Sequence, residues 1–263
     1  MNTVIERPTR SRLAWAVHDS LVMTRRNLIG LFRVPQVIVF SLVQPVIFVL
    51  MFRYVFGGAI AVPGLDYVDY LMPGIFVQTV TFGAINTAVG LSADKGAGLL
   101  ERLRSLPMSR SAALGGRVLA DTTRNVVIVL LMVGIGFIVG FRTHNSVPMV
   151  VLGIAIMILF GTALAWLFAL IGLSVANSEA AQAAAFPLLA PLTFASNLFV
   201  DPSSMPSWLR WWAERQPVSI TADAVRGCML GGVATSTVVA AVLWSLGLSA
   251  VLAPLAVRRF RNT

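Results

Sequence analysis

A chain of 263 residues that is 57% apolar and 12% charged departs from the composition of a soluble domain, where about a quarter of residues carry charge. Its formal charge of +9 does not call for nucleic acid, because the basic residues flank apolar runs approaching the ~20 residues needed to cross a hydrocarbon core about 30 Å thick. One cysteine, Cys228, and two histidines, His18 and His144, exclude an internal disulfide and an H-E-x-x-H metal site, and a His-based triad would be forced.

Residues 1–12 are polar and the first long apolar run follows Arg33, so no cleavable signal peptide is expected and the first span is retained. Between Ser11 and Arg33, Leu13, Val17, Leu21, Leu28, Leu31 and Phe32 share one face at 100° per residue, with Arg12, Asp19, Arg25, Arg26 and Arg33 opposite. This predicts an amphipathic interfacial helix. Trp15, Val22 and Ile29 interrupt its polar face and also suit packing on protein.

Continuous apolar runs then predict six transmembrane helices, at 35–56, 70–92, 118–141, 148–174, 182–200 and 233–257. The fold class is all-α, since a membrane barrel would alternate apolar and polar residues over segments of about ten. Pro187 and Pro191 interrupt the fifth run, and the link before it, at Asn177, Ser178 and Glu179, is short. Five spans is therefore the alternative count. The chain divides into a cytoplasmic tail with the amphipathic helix (1–34), a six-helix membrane domain (35–257) and a short cytoplasmic tail (258–263).

With the N-terminus inside, fifteen of the twenty basic side chains fall on the cytoplasmic side. The other five, Arg53, Arg142, Arg210, Arg215 and Arg226, are balanced by Asp66, Asp69, Asp201, Glu214 and Asp223. This asymmetry predicts a multi-pass protein of the cytoplasmic membrane with both termini in the cytoplasm.

Two connections carry further pattern. In the inner loop 94–121, Gly98 to Leu106 reads as a short helix stopped by Pro107, with Leu99, Leu103 and Leu106 on one face and Glu101, Arg104 and Ser105 opposite. Such a helix suits a soluble partner, and a solvated loop is the plainer alternative. The outer connection 201–232 carries Pro202, Pro206, Trp208, Leu209, Trp211, Trp212 and Pro217. It reads as one or two short helices in, or dipping into, the outer leaflet, or as a simple aromatic anchor.

The chain's only lysine, Lys95, is followed by Gly96, so no phosphate-binding loop of the G-x-x-x-x-G-K-[ST] kind exists and any ATPase must be a separate chain. The acidic residues are expected in loops or near helix ends, which argues against a proton-coupled pump. Cys228 is expected to fill space.

Gln44-Pro-Val-Ile-Phe-Val-Leu-Met-Phe-Arg-Tyr-Val-Phe-Gly57, Tyr70-Leu-Met-Pro-Gly74, Glu101-Arg-Leu-Arg-Ser-Leu-Pro107, Gly116-Arg117 with Asp121, Phe186-Pro187, Met205-Pro206, Gln216-Pro217 and Ala224-Val-Arg226-Gly227 occur in that order. Together they resemble ABC-2-type transporter permeases, closest to the branch containing daunorubicin and doxorubicin resistance permeases, over nearly the whole chain. The resemblance implies a transport subunit with no catalytic site, metal or cofactor of its own, exporting across the cytoplasmic membrane. ATP and Mg would sit on a cytoplasmic ABC ATPase present in two copies, with a second permease chain, identical or homologous, completing the assembly among membrane lipids. It also implies that Leu99, Glu101, Arg102, Leu103, Arg104, Leu106 and Pro107 form the coupling helix, that 13–32 is the connecting helix, and that the Trp-rich loop is an extracellular re-entrant element.

Few fixed charges in the spans suit an amphipathic drug-like or lipid-like cargo. Gln78, Phe82 and Asn86, four apart on the second helix, make a stripe suited to its path, as are Gln44 and Asn197. Interhelical hydrogen bonds are the plainer role for each. Gly136-x-x-x-Gly140 is a weak signal for close helix packing or a dimer contact. A membrane anchor or sensor that recruits a partner without transport is the alternative function, and an independent channel a third.

Overall fold

A computed structural model describes residues 12–33, 35–56, 66–99, 102, 110–232 and 234–262. The described residues are mostly helical, with no strand among them. In chain order the helices are α1 (Arg12–Phe32), α2 (Pro35–Leu50, continued by a π-helical turn, Met51–Phe56), α3 (Tyr67–Gly83), α4 (Ile85–Gly96), α5 (Arg110–Val139), α6 (Val147–Ser174), α7 (Ser178–Phe194), α8 (Ser207–Arg215), α9 (Pro217–Leu230) and α10 (Thr235–Asn262).

Five helical segments are long and apolar enough to cross a membrane: 38–55, 67–96, 112–139, 147–174 and 235–260. The chain is thus an integral membrane protein. α7, of 17 residues, is the short one; at 1.5 Å per residue it covers about 26 Å, slightly less than a typical hydrocarbon core.

In lipid the apolar side chains gain little from burial itself, so packing must come from close helix approach and interhelical hydrogen bonds. α6 is the hub, contacting α3, α4, α5, α7, α9 and α10. Small residues permit this: a Cβ on Gly172 would stand 2.6 Å from the Ala88 carbonyl oxygen, one on Gly161 would strike Val80, and one on Gly74 would strike the backbone of Leu198. Gly136 packs against Met72 and Phe76 of α3 within the same chain, whereas Gly140, at φ +107°, ends α5 in the left-handed region that glycine tolerates. The two glycines therefore serve a helix contact and a helix end, not one dimer face.

The largest departure from the expected spans is the second, which the structure divides at Ala84 into α3 and α4. The Gly83 carbonyl accepts from Arg124 Nη2 at 2.8 Å and from Asn86 Nδ2 at 3.2 Å. The Thr87 N–H turns instead to the Ala84 carbonyl at 3.0 Å. A side chain inserted into the i→i−4 ladder is a recognised cause of a helix kink.

The third helix starts at Arg110, eight residues before expectation. Asp121 therefore lies buried inside a helix, not in a loop or near a helix end, and its charge is matched there by two arginines on the same helix. α7 starts four residues early because the Asn177 side chain accepts from the Ala180 N–H at 2.8 Å, a helix N-cap. It ends at Phe194, and the expected last turn is a bent, buried segment, Ser196 to Phe199. The last helix runs to Asn262, through most of the expected tail.

α1 packs along α5. In this contact Met23 and Thr24 are buried and Thr24 Oγ1 donates to the Gly116 carbonyl at 3.2 Å, while Leu21 of the apolar stripe is exposed and Leu28 half-buried. Gly116 explains the choice, since a Cβ there would lie 2.5 Å from that of Met23. Proximity of backbones decides the face.

The outer connection folds as two helices. α8 exposes Trp208, Trp211 and Trp212, while α9 is buried against α3 and α6. Cys228 fills space against Gly153, as expected.

Candidate functional site: a polar cavity beside a charged cluster

Pro45 inside α2 removes one helical hydrogen bond and lets the helix bend beside α3. Next to it, Ser41, Gln44, Gln78, Thr79, Phe82 and Asn86 line a cavity of about 90 Å³. Four of the five residues expected on a cargo path, Gln44, Gln78, Phe82 and Asn86, thus meet at one place. The fifth, Asn197, does not line this cavity; it belongs to a separate cluster with Tyr70 and Arg226. Among the described residues, no ionisable side chain lines the cavity.

The polar groups here differ in how they are satisfied. Thr79 donates to the Ile75 carbonyl at 2.7 Å and Asn86 to that of Gly83. Gln78, only 2% exposed, has no hydrogen-bond partner for either its amide nitrogen or its amide oxygen among the described residues. A wider groove of about 800 Å³ continues from the cavity past Phe40 and Ile85 to Gln182, Ala183 and Phe186 of α7.

A second cavity, of about 600 Å³, lies between α1, α4 and α5. Asn86 borders both, and Leu99, the first expected coupling residue, borders this one. Arg117, Asp121 and Arg124 recur at helical spacing on α5. Asp121 accepts from Thr87 Oγ1 at 2.7 Å, lies 3.3 Å from Arg117 Nε and 3.5 Å from Arg124 Nη1. Arg117 reaches Asp94 at 3.5 Å and donates to the Asn86 carbonyl at 3.2 Å. The cluster therefore ties α5 to both sides of the helix break. Of the other coupling residues, Arg102 is exposed, and Glu101, Leu103, Arg104, Leu106 and Pro107 lie outside the described residues.

The outer cluster is built on Arg226. Its guanidinium stands 3.9 Å above the Tyr70 ring, pairs with Asp223 at 2.7 Å, and donates to the carbonyls of Tyr70 and Asn197. Tyr70 also donates to the Asn197 carbonyl at 2.9 Å. This joins α9, α3 and the bent segment after α7. The charged spacing on α5 and the Ala224-Val-Arg226-Gly227 motif were the sequence signals for these clusters; their partners, mostly carbonyls and residues far along the chain, left none.

Comparison with known proteins places these features in a lineage. Residues 19–230 match the family model described as ABC-2 type transporter. The chain is 34% identical, over 100% of its length and 93% of the relative's, to the daunorubicin resistance ABC transporter permease protein DrrB1 of Streptomyces coeruleorubidus. It is 28% identical, over 92% of its length and 88% of the relative's, to the probable doxorubicin resistance ABC transporter permease protein DrrC of Mycobacterium tuberculosis. On this full-length similarity and on its helical membrane fold, the chain belongs to the ABC-2 type transporter family.

Proposed function

We propose that this chain is the membrane-spanning permease subunit of an ABC exporter, working with two copies of a separate cytoplasmic ATPase and with a second permease chain. The observation that carries the mechanism is the position of Asn86, which borders both the neutral cavity and the charged cavity reaching Leu99. Force delivered at 99–107 has a short route inward: through the Arg117–Asp94 and Arg117–Asp121 pairs to the Asn86 carbonyl, and so to the helix break at Ala84.

In this reading α7 is a sixth crossing, shortened by its prolines and completed by the buried turn that follows it, and both termini are cytoplasmic. α1 lies along the inner membrane surface, and α8 with α9 forms an outer re-entrant element that Trp208 and Trp211 hold at headgroup level. Cargo is amphipathic, in keeping with relatives named for resistance to daunorubicin and doxorubicin. ATP and Mg bind the partner.

The test is purification of the tagged chain from its native host with identification and stoichiometry of whatever accompanies it. The expected result is an equal amount of a protein bearing a phosphate-binding loop, reduced severalfold by Glu101→Lys. An intact membrane complex that repeatedly lacks such a partner would replace the exporter with the anchor reading.

A further inference from the structure

We propose that Gln78 determines cargo specificity by binding a neutral group that both donates and accepts a hydrogen bond, a hydroxyl or an amide carried on an amphiphile. The inference rests on the exporter reading and specifies what its cavity selects.

Gln78 sits in the middle of α3, where a buried carboxamide has only protein or an occupant to satisfy it. Both of its polar atoms are unpartnered among the described residues, although its neighbours Thr79 and Asn86 have each found a backbone carbonyl, of Ile75 and of Gly83. An amide nitrogen demands an acceptor and an amide oxygen a donor. A hydroxyl or amide supplies both at one point, whereas an ether or ester supplies only the acceptor. An ion is disfavoured because none of the residues lining the cavity carries a countercharge.

Size and surroundings agree with that class. About 90 Å³ holds a small polar group. The apolar remainder of the molecule would lie against Phe40 and Phe82, which line both the cavity and the 800 Å³ groove leading to Phe186. One polar end is thereby read at Gln78 while the bulk of the cargo meets a less demanding apolar surface. A site built this way tolerates varied scaffolds and rejects those lacking the donor, since such a ligand would leave the amide oxygen unpaired.

The experiment uses the permease–ATPase complex in lipid nanodiscs and two fluorescent probes: an NBD-labelled N-acylethanolamine and its counterpart methylated at the amide nitrogen and at the hydroxyl oxygen. Wild type is expected to bind the first about tenfold more tightly, the scale of one net hydrogen bond. Gln78→Met, similar in volume and free of hydrogen-bonding demand, should abolish the preference by weakening the first probe alone. It should also raise the thermal midpoint of the empty complex by about 2–4 °C. A preference that survives in Gln78→Met, equal loss of both probes, or a lowered midpoint would overturn the assignment; the last would mean that the carboxamide is already satisfied by water. Amphiphile-stimulated ATP hydrolysis without discrimination between the probes would remove this inference and leave the exporter standing. A complex that binds neither probe and whose ATP hydrolysis answers to neither would remove both.

Discussion

Two buried arginines hold this bundle together, and they do so in different ways. Arg226, 9% exposed, spends its donors mainly on carbonyls and lays its face on Tyr70. Arg124, 4% exposed, has one carboxylate, Asp121, shared with a second arginine, and one carbonyl at the helix break. Backbone carbonyls cannot move without moving their helices, so the outer cluster is a fixed clamp. The inner cluster is made largely of side chains beside a 600 Å³ cavity and can exchange partners without unravelling a helix. In the proposed orientation, the contrast suits an outer end that keeps its shape and an inner end that responds to the proposed partner.

Breaking the inner cluster should cost most. Asp121→Ala leaves Arg117 and Arg124 facing each other in a buried site, an expected loss of about 3–5 kcal/mol, measurable as a lowered temperature of heat-induced loss of the monodisperse peak in detergent. Asp121→Asn, which can keep the Thr87 contact, should fall between that variant and wild type. Arg226→Met should cost about 2 kcal/mol, because the carbonyls of Tyr70 and Asn197 lose a donor while the aromatic contact is partly replaced. An Arg226→Met loss exceeding that of Asp121→Ala would reverse the ranking of the two clusters.

Gly74→Ala tests the clamp without touching charge. The added methyl meets the Leu198 backbone, which cannot rotate aside, and should cost about 1–3 kcal/mol by overpacking. Smallest is the acid sensitivity of the outer loop. Hydrogen bonds from the Ser203 hydroxyl and backbone N–H hold the Asp201 carboxyl below its usual range. A depressed folded value means the contribution is present above the unfolded carboxylate range and is lost as pH falls through the folded one. Asp201→Asn should therefore flatten the acid limb of a stability–pH profile slightly and leave neutral pH almost unchanged.

The contrast between the clusters also shows what sequence carries. Long apolar runs locate the five spanning segments because hydropathy is a local sum. The split of 67–96 at Ala84 escapes such reading, since its cause is Arg124, some forty residues on. Gln78, Phe82 and Asn86, spaced at i+4, line one cavity even though a helix break intervenes. Asn197, expected on the same path, lies apart from this cavity, and its backbone carbonyl accepts from Tyr70 and Arg226. The leucine spacing of α1 does not reveal where it meets α5, because Gly116, on the other helix, decides where the backbones approach.

One feature of α3 bears on how the protein is made. From Tyr67 to Thr81 every residue is buried, and an 18-residue window within 67–96 has a mean hydropathy of 1.4, against 2.5 within α6. Such a segment gains little from lipid alone, carrying Asp69, Gln78, Thr79 and Thr81 into the bilayer. Asp69 is met by the Arg142 backbone N–H, the Tyr70 hydroxyl by the Asn197 carbonyl and the Tyr70 carbonyl by Arg226, all of which leave the ribosome later, whereas Thr79 and Thr81 bond within α3. Stable insertion of α3 is therefore expected to depend on the later helices that surround it.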